Sequence, residues 1–315
     1  MALTAELIQV TDTQYHAHEF SRIPHYSNSI GKKILTKSPQ HAWLDHPILN
    51  PLYEGEDDEA KFSVGTVAHA ALLQGINVCE PLDFKDYRTN DAKAARDSAY
   101  LAGKIPMLAN QFERVLAMVS SAKSQMECNK ELDHFKLSNY AAEQTIILTK
   151  DETKIKMRLD LLRNDGGLII DYKTTDVMSP AQWMKSISDM GADMQCALYK
   201  EGARVLTGKV PRFVFAIQEV KPPFMMYFIE LTGAYAEYGE SRTNRAIAIW
   251  EGCMASGQWP GYDQRLMSPD LPPWVEGQWL EKELMIDADD KQHPKTIDVA
   301  AGAVSREAFL FGKVK

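Results

Sequence analysis

The middle of the chain changes from helical to strand periodicity, and this change limits the possible folds most. Three short runs rich in β-branched and apolar residues follow one another, over residues 143–149, 154–162 and 168–172. Turn-forming residues separate the runs, with KDE at 150–152 and NDGG at 164–167. The pattern predicts three consecutive strands joined by tight turns, which is a β-meander.

Segments with apolar residues at helical spacing flank this meander. Ser179-Pro180, for example, supplies an N-cap and a proline at the first helical position. The predicted helices cover about 30–38, 62–74, 110–131, 180–206 and 234–255, and two further strands cover about 212–220 and 225–231. This order predicts an α/β fold with a mixed central β-sheet flanked by helices, preceded by an N-terminal helical segment.

The composition is that of a soluble globular protein. The chain has 315 residues, 45% of them apolar, which excludes intrinsic disorder and collagen-like repeats. The 43 acidic residues exceed the 35 basic ones, so the net charge is −8. An acidic chain has no global positive field, which argues against a general polyanion binder but leaves a local basic patch open.

The compartment is predicted from what the sequence lacks. The first twenty residues contain no basic segment followed by an apolar run, so we expect no signal peptide and a cytoplasmic location. No window approaches the ~20 apolar residues that a membrane span requires. Cys79, Cys128, Cys196 and Cys253 form no CxxC motif, which indicates buried thiols, although a distributed four-cysteine iron–sulfur cluster stays open.

Two carboxylates and a lysine in the meander are the strongest candidates for chemistry. Asp160 lies inside an apolar strand, where an unpaired charge is costly, and Asp171 ends the next strand. If the intervening turn pairs these strands, both carboxylates meet at one sheet edge, where Mg²⁺ or Mn²⁺ would relieve their repulsion. Lys173 shares the strand face of Asp171 and can orient water or stabilise phosphate charge. The alternative is a solvated ion pair at a strand end.

Four further side chains fit the same site, and each has an ordinary alternative. His69 lies in a predicted buried helix and can equally be a core histidine. Glu143 opens the meander and can equally be a surface acid. Gln195 and Tyr199 are four residues apart, hence on one helix face, and can equally be an exposed amide and a packed ring.

Taken together, these residues resemble the PD-(D/E)XK nuclease superfamily in its RecB-like branch. The match consists of His69, Glu143, Asp160, Asp171-Tyr172-Lys173 and Gln195-x-x-x-Tyr199. Within that branch the chain is similar to the RecE-like exonucleases, the exodeoxyribonuclease VIII nuclease domain and its phage and prophage relatives. Supporting motifs are YHA at 15–17, PxFVF at 211–215 and WP at 259–260, and the resemblance covers about residues 14–275.

The resemblance implies a role for each matched residue. Asp160 and Asp171 would be ligands of Mg²⁺, for which Mn²⁺ can substitute, with His69 touching the metal or beside it. The backbone carbonyl of Tyr172 would add a further ligand, and Lys173 would be the catalytic lysine. Glu143 would lie at the edge of the site and act through water. Gln195 and Tyr199 would hold the DNA backbone or order the site.

The resemblance also implies an activity and partners. Relatives digest linear double-stranded DNA from 5′ ends, leave 3′ single strands for a RecT-like annealing protein, and form homo-oligomeric ring tetramers. The implied nuclease domain covers 1–260, with a helical part at 1–135 and the catalytic sheet core at 140–256. Residues 261–315 are expected to be a C-terminal appendage of uncertain order.

Three alternatives to this activity stay open. Cas4-like and AddB-like nucleases carry the same core with an iron–sulfur cluster, although their cysteines usually group near the C-terminus and here Cys253 alone is late. A non-catalytic DNA-binding module on the same fold is a second alternative, although no catalytic position is substituted. A sequence-specific endonuclease is the third.

Basic residues near the predicted site are candidates for contacts with DNA phosphates. Alternate residues of the strand that carries Asp160 share its face, and three of them are basic. The candidates are Lys154, Lys156 and Arg158 on that strand, and Lys32, Lys33 and Lys37 in the short basic helix. The ordinary alternative is a solvated strand face and a solvated helix.

Overall fold

The structure, a computed structural model, describes residues 3–53, 63–176 and 179–292. The chain divides into two compact units, residues 1–262 and 263–315. The first unit contains the sheets. The second contains a helix at Pro273–Gln292, in the region where the sequence predicts an appendage of uncertain order. The appendage beyond residue 292 lies outside the described residues.

The predicted meander forms the centre of a six-stranded mixed sheet. The strands are β1 (Leu3–Ile8), β2 (Cys79–Leu82), β3 (Ile105–Leu108), β4 (Tyr140–Lys150), β5 (Thr153–Arg163), β6 (Leu168–Thr175), β7 (Arg212–Glu219) and β8 (Met226–Glu230). Their order in the large sheet is β1-β4-β5-β6-β7-β8, with β6 and β7 parallel and the other neighbours antiparallel. Strands β2 and β3 form a separate parallel pair.

Helices cover both faces of this sheet. The helices of the first unit are α1 (Asp12–His16), α2 (Asn28–Thr36), α3 (Pro39–Leu44), α4 (Val64–Gln74), α5 (Asn90–Leu101), α6 (Ala109–Cys128), α7 (Pro180–Lys185), α8 (Ile187–Met190), α9 (Ala192–Thr207) and α10 (Ala234–Ser256). The helix of the second unit is α11 (Pro273–Gln292). None of those in the described part of the chain is long and apolar enough to cross a membrane. The predicted α/β class with a mixed central sheet and flanking helices is confirmed.

The structure differs from the prediction in one helix and in three strands. The single helix expected over 180–206 is three helices: α7 ends at Lys185 with Ser186 as its C-cap, and Gly191, in a left-handed conformation (φ +71°), ends α8 before α9 begins. Three strands that were not predicted lie in the part expected to be helical, residues 1–135: the pair β2 and β3, and β1 at Leu3–Ile8. Strand β1 is stabilised by its pairing with β4, because a short strand without a partner is not stable. Since β4 is distant in the sequence, the local pattern does not reveal this pairing.

Apolar packing on both faces holds the sheet in place. Helices α2, α9 and α10 cover one face, over a core that includes Tyr26, Phe213 and Trp250. Helices α4 and α6 cover the other face, where Leu72 and Met118 are fully buried. Truncating a fully buried side chain such as Leu72 to alanine costs about 2–5 kcal/mol, so the helices that carry site residues are fixed firmly to the sheet.

Strands β5 and β6 form a fork. Within the described strands they pair over two residues each, 161–162 against 169–170. The strands separate at the next residue of each, which is Asp160 on β5 and Asp171 on β6. Farther along, the edge of β5 that β6 leaves is occupied by the backbone of Tyr26. The fork therefore opens at the two predicted carboxylates.

Three buried histidines, His18, His25 and His46, lie next to one another. His46 donates from Nε2 to the carbonyl of His25 at 3.1 Å, and its Nδ1 accepts from the N–H of Ile48 at 3.2 Å. This pair of hydrogen bonds requires the neutral imidazole, because Nδ1 can accept a hydrogen bond only when it carries no proton. Burial, with the positive charge of Lys156 adding to it, lowers the pKa of His46 to about 4, and burial lowers the pKa of His18 to about 3.

These lowered pKa values predict a loss of stability in mild acid. Above pH 6.5 His46 is neutral in the folded and unfolded chain, so it adds no pH dependence. Between about pH 6.5 and 4 the unfolded chain binds a proton that the folded chain excludes. The free energy of unfolding then falls as pH falls, by at most about 1.4 kcal/mol per pH unit.

Denaturant unfolding at pH 5.0, 6.0 and 7.5 measures this effect. His46→Gln is expected to reduce the slope of the free energy of unfolding against pH by an amount that corresponds to at most one bound proton. This change in slope is independent of what the substitution costs in stability at pH 7.5. His16→Gln is the control, because His16 is exposed. Identical slopes for wild type and His46→Gln would contradict the prediction.

Candidate active site

The fork between β5 and β6 gathers side chains from four elements. Asp160 and Asp171 come from the two strands, and Lys173 follows two residues later on β6. Helix α4 contributes His69, and α9 contributes Gln195. Asp171 is 1% exposed and Asp160 9%, so both carboxyl groups are almost completely removed from water. The structure thus brings together five of the residues predicted from sequence.

Asp160 is held by two hydrogen bonds to one oxygen. Its Oδ2 lies 3.0 Å from Nε2 of His69 and accepts the backbone N–H of Tyr172 at 2.8 Å. Burial opposes ionisation of Asp160, but the charge of His69, that hydrogen bond and the charge of Lys173 together lower its pKa. Burial likewise opposes the charged form of His69, yet the neighbouring Asp160 carboxylate raises its pKa. The two residues stabilise each other as an ion pair.

Asp171 is the more perturbed carboxyl group. Burial raises its pKa to about 6 against the opposing charge of Lys173, and the negative charge of Asp160 raises it further. Lys173 Nζ lies 2.6 Å from Oδ1, and Gln195 Nε2 donates to Oδ2 at 2.5 Å. The two carboxylates raise the pKa of Lys173 although burial lowers it, so Lys173 is a cation at neutral pH.

The two carboxylates suit a hard divalent cation. Oδ1 of Asp171 is buried and accepts no aligned hydrogen bond, although the ammonium of Lys173 is close. Mg²⁺ is usually held by one or two carboxylates and completes its shell with water and substrate phosphates, so Asp160 and Asp171 fit it.

The predicted metal ligands include His69, in contact with the metal or beside it. Among the described residues no three His, Cys, Asp or Glu side chains form a group that could hold a metal ion. His69 is hydrogen-bonded to Asp160, and its part at the metal stays a prediction. The Tyr172 carbonyl as a ligand stays a prediction.

The cysteines do not support the iron–sulfur alternative. Cys79, Cys196 and Cys253 are buried and Cys128 is exposed, and all four are free thiols. Among the described residues no three cysteines lie close enough together to hold a metal. A [4Fe–4S] cluster needs four thiolates around one centre, so the prediction of buried thiols holds for three of the four.

Glu143 forms an ion pair with Arg158, and its role at the edge of the site, through water, stays a prediction. The two side chains are 13% and 11% exposed. Glu143 has a left-handed backbone (φ +54°), and the β4–β5 ladder skips it at the position opposite Asp160. A non-glycine residue in this conformation costs roughly 1–2 kcal/mol, which the surrounding contacts must offset.

The basic residues of β5 form contacts with other parts of the protein. Lys156 is 8% exposed and donates to the carbonyl of Tyr15 at 2.8 Å, so the prediction that it contacts DNA is wrong. Arg158 is held by Glu143 and does not present a free guanidinium. Lys154 donates to Thr149 but is only partly buried, and its contact with DNA stays a prediction. Alternation along a strand predicted a shared face but not that this face is covered.

The basic helix α2 contributes no side chain to the five gathered at the fork. Lys33 forms an ion pair with Asp45, the residue that follows α3, and the stem of Lys32 covers Gly191 before α9. Helix α2 packs against the same face of the sheet as α9 and α10. DNA contacts by Lys32 and Lys33 stay predictions.

Tyr199 lies behind the two carboxylates. Its phenol neighbours Gln195 and the backbone of Arg158. Burial raises its pKa well above the ordinary value, and the charges of Asp171 and Asp160 raise it further. Tyr199 therefore stays a neutral phenol, and it links α9 to β5.

Gln218 is a site neighbour that sequence reasoning missed. The hydroxyl of Tyr172 donates to Oε1 of Gln218 at 2.5 Å, and Nε2 of Gln218 donates to the carbonyls of Met118 at 3.0 Å and Phe224 at 3.2 Å. Gln218 is fully buried, and this network anchors the residue between Asp171 and Lys173. In the sequence, the feature that could have indicated Gln218 is a single amide within the apolar run of β7, because a buried amide needs hydrogen-bond partners.

Comparison with known proteins agrees with this geometry. A family described as "PDDEXK-like domain of unknown function (DUF3799)" matches residues 32–265, which is most of the chain. The chain belongs to this PDDEXK-like family. The predicted PD-(D/E)XK superfamily is therefore confirmed, and the narrower RecE-like assignment stays a prediction. No curated protein matches the chain.

A solved structure shares the fold of this PDDEXK-like domain. It is the crystal structure of a "Putative exonuclease" from Eubacterium rectale, with a TM-score of 0.52 and 15% sequence identity. The match covers 84% of this chain and 97% of the other. At this identity the likeness establishes the fold.

The paired carboxylates predict that divalent metal stabilises this PDDEXK-like domain. A ligand at a hundred times its Kd that binds the folded state alone adds about 2.7 kcal/mol. In a domain of this size each kcal/mol raises Tm by about 2–4 °C. Thermal unfolding of the wild type with Mg²⁺ or Mn²⁺ should show this rise, and Asp160→Asn and Asp171→Asn should abolish it.

Asp176→Asn is the matched control for this measurement, because Asp176 is exposed and pairs with Lys221. It is expected to keep the full metal response. A metal-induced rise in Tm that survives in Asp171→Asn would contradict the assignment of the metal ligands.

Proposed function

We propose that this protein is a metal-dependent deoxyribonuclease that hydrolyses phosphodiester bonds of linear double-stranded DNA. One observation carries the proposal: within a PDDEXK-like fold, two buried carboxylates meet at the β5–β6 fork, and Lys173 Nζ lies 2.6 Å from Oδ1 of Asp171. Nucleases of this superfamily generally use divalent metal ions, and Mg²⁺, with Mn²⁺ as a substitute, is the proposed ion.

Each residue at the fork has a defined part in this chemistry. When bound, a divalent cation would polarise the scissile phosphate and lower the pKa of water. Asp160 and Asp171 would hold this cation. His69 and Gln195 fix the oxygens of these carboxylates through hydrogen bonds of 3.0 and 2.5 Å. Lys173 keeps its charge and stabilises negative charge that develops on the phosphate.

The exonuclease part of the proposal has separate support. The Eubacterium rectale protein of the same fold is named as an exonuclease. The sequence resembles RecE-like enzymes over about residues 14–275. We propose digestion from 5′ ends that leaves 3′ single strands, as used in recombination by annealing.

Digestion of linear duplex tests the proposal. With Mg²⁺ the wild type should release label from 5′ ends first, and closed circular duplex should survive. Asp171→Ala and Lys173→Ala should each lower the rate by about 100-fold or more, because the first removes a ligand of the cation and the second removes the positive charge that stabilises the phosphate. The matched control is Lys185→Ala, since Lys185 is an exposed lysine of α7.

Each outcome of this assay has one meaning. Equal digestion by the wild type and by Asp171→Ala would refute the proposed site. Label released first from 3′ ends would refute the polarity and leave the nuclease, and cleavage of closed circles would indicate an endonuclease.

The proposal extends to assembly and a partner. A homo-oligomeric ring, as in the tetramers of RecE-like relatives, would enclose DNA and retain it without a strongly basic surface, which suits a net charge of −8. The 3′ strands would pass to a single-strand annealing protein of RecT type. Light scattering should give a mass of about four chains, and a monomer at assay concentration would contradict the ring.

A further inference from the structure

Tyr15 packs its ring against two cations beside the candidate site. Nζ of Lys156 lies 4.5 Å from the ring centroid, and the guanidinium carbon of Arg158 lies 5.7 Å from it. The side chain of Tyr15 is 8% exposed, so this contact is shielded from water. A cation over a shielded aromatic face is attracted more strongly than one at an exposed position.

The segment around Tyr15 is fastened to β5 by backbone contacts as well. Lys156 donates to the carbonyl of Tyr15 at 2.8 Å, and Nη1 of Arg158 donates to the carbonyl of Val10 at 3.3 Å. This segment leaves the sheet directly after β1, whose last pair with β4 is Ile8 with Thr145. Helix α1 therefore begins next to the place where Glu143 interrupts the β4–β5 ladder.

Arg158 connects Tyr15 to Glu143. Its guanidinium pairs with the Glu143 carboxylate, lies over the Tyr15 ring and approaches Thr145 at 3.4 Å. Glu143 needs such restraint, because its left-handed backbone is unfavourable for a glutamate. Asp160 is the residue that this strained position faces across the ladder.

We propose that Tyr15 is a positioning residue of the nuclease site. Its ring fixes Arg158, and Arg158 in turn fixes the strained Glu143 beside Asp160. The inference rests on the proposed nuclease function and adds a residue on a different element, α1. Without the aromatic face, Arg158 would lose one of its supports, and the backbone around Glu143 could relax toward ordinary strand geometry. The carboxylate of Asp160 would then lose its fixed surroundings, and kcat would fall with little change in KM.

A graded replacement of the ring tests this proposal without changing its shape. Tyr15 is replaced by phenylalanine, then by phenylalanines with one, two and three ring fluorines, which progressively weaken the attraction of the ring for cations. We expect kcat for linear duplex with Mg²⁺ to fall step by step, reaching about fivefold to thirtyfold below the phenylalanine form. The same series at Tyr140, whose ring is equally buried but packs on Phe135, should leave kcat unchanged.

Conventional variants provide a second measurement. Tyr15→Phe keeps the aromatic face and should stay within about twofold of the wild type, whereas Tyr15→Leu should match the fluorinated end of the series. Tyr140→Leu controls for the loss of a buried ring. If Tyr15→Leu fails to fold, the fluorinated series still decides, because those rings have nearly the same volume.

The outcomes separate this inference from the proposed function. Failure of the wild type to digest linear duplex refutes the nuclease. A wild type that digests DNA with a flat fluorination series, or with equal losses at Tyr15 and Tyr140, refutes the positioning role alone. A graded fall in kcat confined to Tyr15 supports it.

Discussion

The mutual repulsion of two buried carboxylates is the constraint on which the rest of the site depends. Asp160 and Asp171 face each other where β5 and β6 separate, and burial raises the pKa of Asp171 to about 6. Such a pair is costly unless positive charge lies nearby. His69 supplies it for Asp160, and Lys173 supplies it for Asp171. A divalent cation would supply more positive charge and so relieve the unfavourable electrostatic energy of the two carboxylates. This relief would favour binding of a metal at the site.

The fold keeps this costly arrangement because separate elements hold each part of it. The fork exists because β5 pairs with β6 over two residues and then with the backbone of Tyr26. One helix on each face of the sheet contributes a polar side chain to the fork, α4 with His69 and α9 with Gln195. Both helices are packed into apolar cores, so the hydrophobic energy of the fold offsets the cost of placing charges inside it.

The distribution of charge differs from the positive lining that the sequence suggested along β5. Lys156 and Arg158 point to Tyr15 and Glu143 and serve the packing of the N-terminal segment. Among the basic residues of β5 and β6, Lys173 lies at the fork, with 39% of its side chain exposed. A net charge of −8 gives no global positive field that would attract DNA, so the proposed ring would have to retain DNA by enclosing it.

The sequence by itself determined the meander, the flanking helices, the superfamily and the residues His69, Asp160, Asp171, Lys173 and Gln195. The meander and the helices follow from local periodicity and turn chemistry, which do not depend on distant contacts. The superfamily and the grouping of these residues follow from their resemblance, in type and order, to known nucleases. The tertiary structure alone decided what each charge pairs with. Lys156 contacts the carbonyl of Tyr15, which is 141 residues away in the sequence. Glu143 pairs with Arg158 on the neighbouring strand. Pairing of charges is fixed by burial and by cross-strand register, and neither is visible in a linear pattern.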